Sequence, residues 1–448
     1  MTTSLETLAN QMLDAARAAG ADASDALIAQ GTSISIDVRA GALEEANRSE
    51  GIDLGLRVLV GPRQAVVSAS NASEETIKDM AERAVAMAKE APADPHLGLA
   101  EPSQLATAWD IHALEMYEDA PEPSPAALQE AAKAAEDAAL SVSGVSQTQG
   151  AGAAYGAREI MLAASNGFAG GYKRSSHSLS CVAIAGEGTG MERDYDGDFR
   201  IFGGDLRDAT EIGRTAGERA AERLNARKPV TGTYPVLFDE RVSSSLIGHL
   251  VAAMNGASIA RGSSWLRDAM DTPVLPEALS LTEDPLRPRA TGSRPFDAEG
   301  LPAVKRTVAE NGILRTWTLD LASARKLGLE STGNASRGTG SGPSPSVTNL
   351  ELTQGNQSRA DLIRDMGTGL LVTSMIGSTI NPNTGDYSRG ASGFWIENGE
   401  IAYPVNECTI AGNLRDMLLR IIPANDARTH LSRVVPSLLI EDMTLAGA

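Results

Sequence analysis

The apolar positions of this chain change period several times. Between Leu5 and Ala18 they recur every three or four residues, the spacing of one buried helix face. Alternation with period two follows at 26–29, 33–38, 51–60 and 64–68, rich in Ile and Val, and predicts strands. Asn71-Ala-Ser-Glu74 has the form of a capping box and opens an Ala-rich helix to about residue 90. The same order then recurs. A helix near 125–140 precedes strand-like stretches at 146–155, 159–165, 170–185 and 191–201, and Asp208-Ala-Thr-Glu211 opens a helix to about residue 225. Helix, strands and helix, twice over, read as an internal duplication. A stretch rich in Pro, Ala and Glu, 91–124, links the two units.

From Tyr234 onward the pattern changes. Pro235-Val-Leu-Phe reads as a strand, and 241–255 as a helix whose apolar face carries Leu246, Ile247, Leu250, Val251 and Met254. Asn311-Gly312 and Asn398-Gly399, each flanked by apolar alternation, are hairpin turns. The stretch 331–346, dense in Gly, Ser and Pro, predicts a long mobile loop. The fold class is therefore α+β. It comprises a first unit at 1–90, a linker at 91–124, a second unit at 125–229 and a mainly antiparallel, β-rich C-terminal domain at 233–448.

Composition narrows the function classes. The 448 residues carry a net charge of −19, which argues against nucleic acid or an anionic membrane as partner, because phosphate binding needs a basic face. Aromatic residues are only 4%, so the core rests on Ala, Leu, Val and Ile. Two cysteines, Cys181 and Cys408, cannot build a disulfide framework. The opening Met1-Thr-Thr-Ser-Leu-Glu lacks the basic and apolar regions of a signal peptide, and no apolar run nears the ~18 residues of a spanning helix. A cytoplasmic setting is expected.

Familiar catalytic motifs are missing. The five histidines, His96, His112, His177, His249 and His430, include no His-Glu-x-x-His pair. There is no Gly-x-Ser-x-Gly elbow, and the Gly-rich run 338–342 lacks the Lys of a phosphate loop. Three weaker patterns remain. His177 and Cys181 share a strand face and could begin a zinc site, but no further ligand is evident, and a polar His beside a buried Cys is the favoured reading. Asp194, Asp196, Asp198 and Asp205 imitate part of a calcium loop, but Phe199 stands where glycine is required, so a solvated acidic hairpin is expected. Ser323-Ala-Arg-Lys326 is a Ser-x-x-Lys without its companion motifs.

The run from Gly377-Ser-Thr-Ile-Asn381-Pro-Asn-Thr384-Gly385-Asp386 through Phe394-Trp-Ile396-Glu397-Asn398-Gly399 resembles the C-terminal signature of the TldD/PmbA family. Pro404-Val405 and Thr409-Ile410-Ala411-Gly412-Asn413-Leu414 resemble its PmbA (TldE) branch. Ser331-Thr-Gly-Asn334-Ala335, Pro345-Ser-Val-Thr-Asn349-Leu, the duplicated first half and the total length fit as well.

The resemblance implies a two-subunit cytoplasmic metallopeptidase, formerly described as a modulator of DNA gyrase. Its TldD-type subunit holds zinc through a His-Glu-x-x-x-His helix and a late Cys, and the TldE-type subunit completes a peptide chamber without metal ligands. Counting back from Gly262-Ser-Ser-Trp-Leu, the motif positions fall on Ile247, Gly248 and Ala252, none of which can bind zinc or act as a base. His249 stands alone beside them, and no Cys follows Leu414. The expected assignment is a subunit with no catalytic residue, no metal and no cofactor of its own. Zinc lies in a TldD-type partner, and unfolded peptides are the substrates. Asn349, placed near a sheet edge that extended peptide could join, is the one substrate-binding candidate, and a turn role competes for it. Two alternatives are a non-proteolytic homodimeric adaptor and an enzyme with an unrecognised site near His177, Cys181 and Asp194.

Overall fold

The computed structural model describes residues 4–447; Met1–Thr3, part of the segment read for a signal peptide, lie outside the described residues. The N-terminal half contains α1 (Leu5–Ala18), β1 (Ala23–Arg39), β2 (Ala42–Val60), β3 (Arg63–Ala69), α2 (Glu74–Glu90) and the short α3 (Ile111–Leu114). It continues with α4 (Pro125–Leu140), β4 (Val145–Ala164), β5 (Ala169–Ala185), β6 (Glu192–Arg200) and α5 (Ala209–Glu222). The stretches read as separate strands at 26–29 and 33–38 are one continuous strand, because the ladder to β2 and β4 runs unbroken through Gly31. The α2 cap is Ser73, whose Oγ accepts from Thr76 N, while Asn71 instead accepts from Ser73 N.

The two units share one antiparallel sheet of order β3-β2-β1-β4-β5-β6, joined where β1 meets β4 from Asp25↔Ala164 to Val38↔Ala151. Ala26, Ile28, Ile34, Ile36 and Val38 alternate in a single phase along β1. The first two pack under α1 and α2, the last three under α4 and α5, so both helix pairs cover the same face. Residues of 91–124 are packed rather than free. Ser175 N donates to Met116 O, Glu118 N donates to Ser175 Oγ, and Glu122 pairs with Arg48, so this segment crosses the sheet between the helix pairs. The opposite, open sheet face carries none of these four helices.

The C-terminal half contains β7 (Gly232–Phe238), α6 (Glu240–Ala253), α7 (Gly256–Ala260), β8 (Leu281–Glu283), β9 (Arg306–Glu310), β10 (Ile313–Leu314) and α8 (Leu321–Leu327). Then come β11 (Ala335–Ser336), β12 (Ser344–Pro345), β13 (Leu350–Leu352), α9 (Arg359–Met366), β14 (Gly369–Ile380), β15 (Asp386–Glu397) and β16 (Glu400–Asn413). The chain closes with α10 (Leu414–Leu418), β17 (Ile422–Pro423), β18 (Arg433–Val434) and β19 (Leu438–Ala446). Its main sheet runs β16-β15-β14-β7-β19-β17, and a further β16–β19 pairing curls it back on itself. The α6 residues Leu246, Ile247 and Leu250 pack against it. Both Asn-Gly turns are present, with positive φ at Asn311, Gly312, Asn398 and Gly399 as a two-residue hairpin turn requires. Among the described residues no helix is long and apolar enough to cross a membrane.

The stretch 331–346 departs from its reading as a mobile loop. It forms the β11–β12 hairpin, whose tip lies against the open sheet face, so close to Gly55 that a Cβ there would sit 2.3 Å from Thr339 O. Arg337 at this tip pairs with Asp25 of β1, which Arg57 of β2 holds from the other side at 2.5 Å. All three side chains are at most 3% exposed. Burial raises the Asp25 carboxyl, but Arg337 and Arg57 outweigh it and hold it below its ordinary value.

Candidate functional site

Helix α6 begins at Asp239, whose side chain accepts from Arg241 N. Ile247 lies in the apolar core, while Gly248 and Ala252, one turn apart, lie on the outer flank; a Cβ at 248 would sit 3.1 Å from Arg433 Nη1. Five residues of helix span about 500°, so 247 and 252 do not share a face. His249 is half-buried, with its ring centroid 5.8 Å from that of Tyr387. Its Nε2 is enclosed and has no hydrogen-bond partner. Burial and the Arg389 charge press its pKa down, which favours the neutral ring. Cys408 is buried, its thiol pushed up to about 11 by burial, and it donates to Ala391 O at 3.2 Å. Zinc takes deprotonated thiolates, neutral imidazoles and carboxylates, so this set of one imidazole, one un-ionised thiol, glycine and alkyl groups does not fit it. Among the described residues no three His, Cys, Asp or Glu side chains converge on a metal-sized site.

The remaining sequence candidates are dispersed. Asn349 is 1% exposed and fully bonded: Nδ2 donates to Asp284 O and Ser293 Oγ, and Oδ1 accepts from Gly292 N. It precedes β13, which lies between β8 and β18, so the expected sheet edge is an interior position, and both amide atoms are already engaged within the fold. His177 sits at the linker crossing, Nε2 2.7 Å from Glu118 Oε2 and edge-on to Tyr155. Cys181 lies in the core under α4 and α5, its thiol pushed up to about 12 by burial. Ser323 serves the α8 capping box with Asp320.

The acidic strand is not a solvated hairpin. Asp194, Asp196 and Asp198 are buried, while Tyr195 and Phe199 of the opposite phase are exposed. Asp194 meets Arg241 at 3.0 Å and Arg223 at 3.6 Å, and Asp196 meets Arg207 and Arg219, both at 2.8 Å. Asp198 meets Arg200 at 2.9 Å and His430 at 3.5 Å, while Asp205 turns away to Arg289. These pairs join β6 to α5, α6 and the C-terminal segment. Of these partners Arg241 and His430 belong to the C-terminal half, so those two contacts tie the halves together.

A concavity rich in arginine lies elsewhere, on the open face of the N-terminal sheet. C-terminal residues around 291–298 and 336–339 roof one end and enclose about 290 Å³; hollows of about 480 and 100 Å³ adjoin along the sheet. Arg158 of β4 lines all three. Across the strand pair stands Arg174 of β5, which donates to Thr291 O. Arg294 donates to Ala335 O and Gly333 O, and its Nε is enclosed without an acceptor. Sequence reasoning missed these arginines. They come from three segments, β4, β5 and the stretch around 294, and no spacing rule links them.

Three family models match the chain: PmbA/TldA metallopeptidase domain 1 at 24–88, the central domain at 118–224 and the C-terminal domain at 231–447. The chain is 36% identical over 430 residues to the metalloprotease PmbA of Escherichia coli, covering 95% of this chain and 92% of the relative. It is also 36% identical over 443 residues to the metalloprotease PmbA homolog of Haemophilus influenzae, covering 97% and 94%. Its fold matches the crystal structure of a protein described as a modulator of DNA gyrase from Bacteroides thetaiotaomicron, with a TM-score of 0.92, 26% identity and all of both chains covered. TldE from Thermococcus kodakarensis shares the fold at a TM-score of 0.85 and 21% identity, over 98% of this chain and 100% of that one.

Proposed function

Because the chain belongs to the PmbA/TldD metallopeptidase family, we propose that it is the TldE-type subunit of a cytoplasmic TldD–TldE zinc peptidase. The observation that carries this reading is the ligand-free α6, with Ile247, Gly248 and Ala252 where the resemblance to the catalytic branch puts two imidazoles and a carboxylate. Without a metal this chain has neither a Lewis acid nor an activated water, so hydrolysis belongs to the partner. What this chain supplies is wall and floor. Sheet edges can hold an extended peptide through backbone hydrogen bonds, which tolerate varied side chains and suit unfolded substrates, and the open sheet face can add side-chain contacts.

Reconstitution tests the reading. The purified chain alone is expected to leave an unstructured peptide intact and to carry no stoichiometric zinc by elemental analysis. Added to a TldD-type subunit, it is expected to raise or redirect cleavage. Hydrolysis by this chain alone, one tightly held zinc per chain, or a partner indifferent to its addition would each overturn it. Light scattering separates a heteromer from the homodimeric alternative.

A further inference from the structure

We propose that the hollow along the open face of the N-terminal sheet binds a peptide carboxylate, anchored by Arg158 with Arg174 and Arg337 beside it. Arg158 and Arg174 are directly opposite on β4 and β5, an arrangement in which like charges repel. Among the described residues the Arg158 side chain makes no hydrogen bond or ion pair, and the Arg174 side chain reaches only a carbonyl oxygen.

Shortage of carboxylates does not explain this. The chain has 58 Asp and Glu against 39 Lys and Arg, and on β6 every buried aspartate is matched to guanidinium groups. Two acids border the hollow. Asp297 is engaged by the N–H groups of Glu299, Leu301 and Ala335, and Asp53 pairs with neither arginine.

A second observation comes from Arg337, which lines the roofed end. Its side chain is 2% exposed; one Nη holds Asp25, while Nε and the other Nη meet no acceptor. That edge of a guanidinium is the fork that takes a carboxylate bidentately. Gly156, Ser176 and Ser178 floor the neighbouring hollow, and these small residues leave room for a backbone to lie on the sheet. The roofed volume is at the small end for ligand pockets, enough for one or two residues rather than a folded chain. The carboxylate can come from a peptide C-terminus or from an acidic side chain.

Only the choice of a peptide as carrier rests on the chamber reading. Binding is therefore measured on this full chain without partner, by calorimetry, with three probes: N-acetyl-Ala-Ala-Leu, its C-terminal amide, and N-acetyl-Ala-Glu-Leu amide. One or both carboxylate probes are expected to bind with Kd below about 1 mM, and the Ala-Ala-Leu amide at least about tenfold more weakly. Preference between the two carboxylate probes tells which source the site takes. Arg158→Gln is expected to weaken carboxylate binding by about tenfold or more without lowering thermal stability, since it relieves the repulsion with Arg174. A purely structural arginine would show the reverse. Equal binding of all three probes, no binding at millimolar concentration, or unchanged binding by Arg158→Gln would overturn the proposal. Reconstituted cleavage without carboxylate binding sinks this proposal alone; carboxylate binding without reconstitution sinks only the peptidase reading.

Discussion

Replacing Asp25 by Asn tests how the two halves are joined. Asp25 stands between Arg57, 2.5 Å away on β2, and Arg337, which arrives from the C-terminal half. The side chains are almost wholly buried, so both guanidiniums are largely desolvated. Removing one member of a buried ion pair costs about 3–5 kcal/mol, because the stranded charge loses its partner and stays desolvated. Here two guanidiniums are stranded, which puts the variant at the upper end. With a urea slope of about 3 kcal/mol/M, the unfolding midpoint falls by roughly 1 M or more. Arg337→Met provides the internal control. It leaves a balanced Asp25–Arg57 pair and is expected to cost less than half as much.

The pH dependence adds a second reading of the same pair. A depressed carboxyl contributes stability above its ordinary value, about 3.9, and loses it as pH falls through the folded value. Wild type should therefore lose this increment below about pH 4, and the Asp25→Asn variant has none to lose. A cost under about 1 kcal/mol for Asp25→Asn, or a larger cost for Arg337→Met, would refute the charge-stranding argument.

Two further outcomes follow from close contacts and burial. Gly55→Ala places a Cβ 2.3 Å from Thr339 O and 2.6 Å from its Cα, both backbone atoms, so the β11–β12 tip must lift. The expected results are a loss of about 1–3 kcal/mol and faster trypsin cleavage after Arg337; an unchanged digestion rate would show that the tip is not seated there. Glu299 is buried, and burial together with the Asp297 carboxylate pushes its pKa up to about 8. A raised carboxyl favours the fold below its ordinary value and loses that contribution as pH rises through 8. Glu299→Gln should accordingly gain thermal stability over wild type between pH 5 and 9, and a difference that stays constant across that range would contradict the assignment.

Local pattern made much of this protein legible. The α1 and α4 helices fall where the sequence reading put them, at Leu5–Ala18 and Pro125–Leu140. The two Asn-Gly turns also needed nothing beyond adjacent residues able to adopt positive φ. The C-terminal signature, a run of residues in fixed order, was likewise readable as sequence and agrees with the family models. Side-chain partnership was not legible. Alternating Asp194, Asp196 and Asp198 look like a solvated acidic hairpin because most of the arginines that neutralise them stand beyond β6, before and along α5 and on α6. The Gly- and Ser-rich tip looked free because its anchor, Asp25, lies 312 residues away. Asn349 looked available because the sequence does not show that Asp284, Gly292 and Ser293 consume its amide. Helix period, turn chemistry and motif order are set by residues within a few positions of each other, so the chain determined them by itself. Which charges meet, which strand is interior and where the arginines gather depend on segments hundreds of residues apart, and only the tertiary structure decided those.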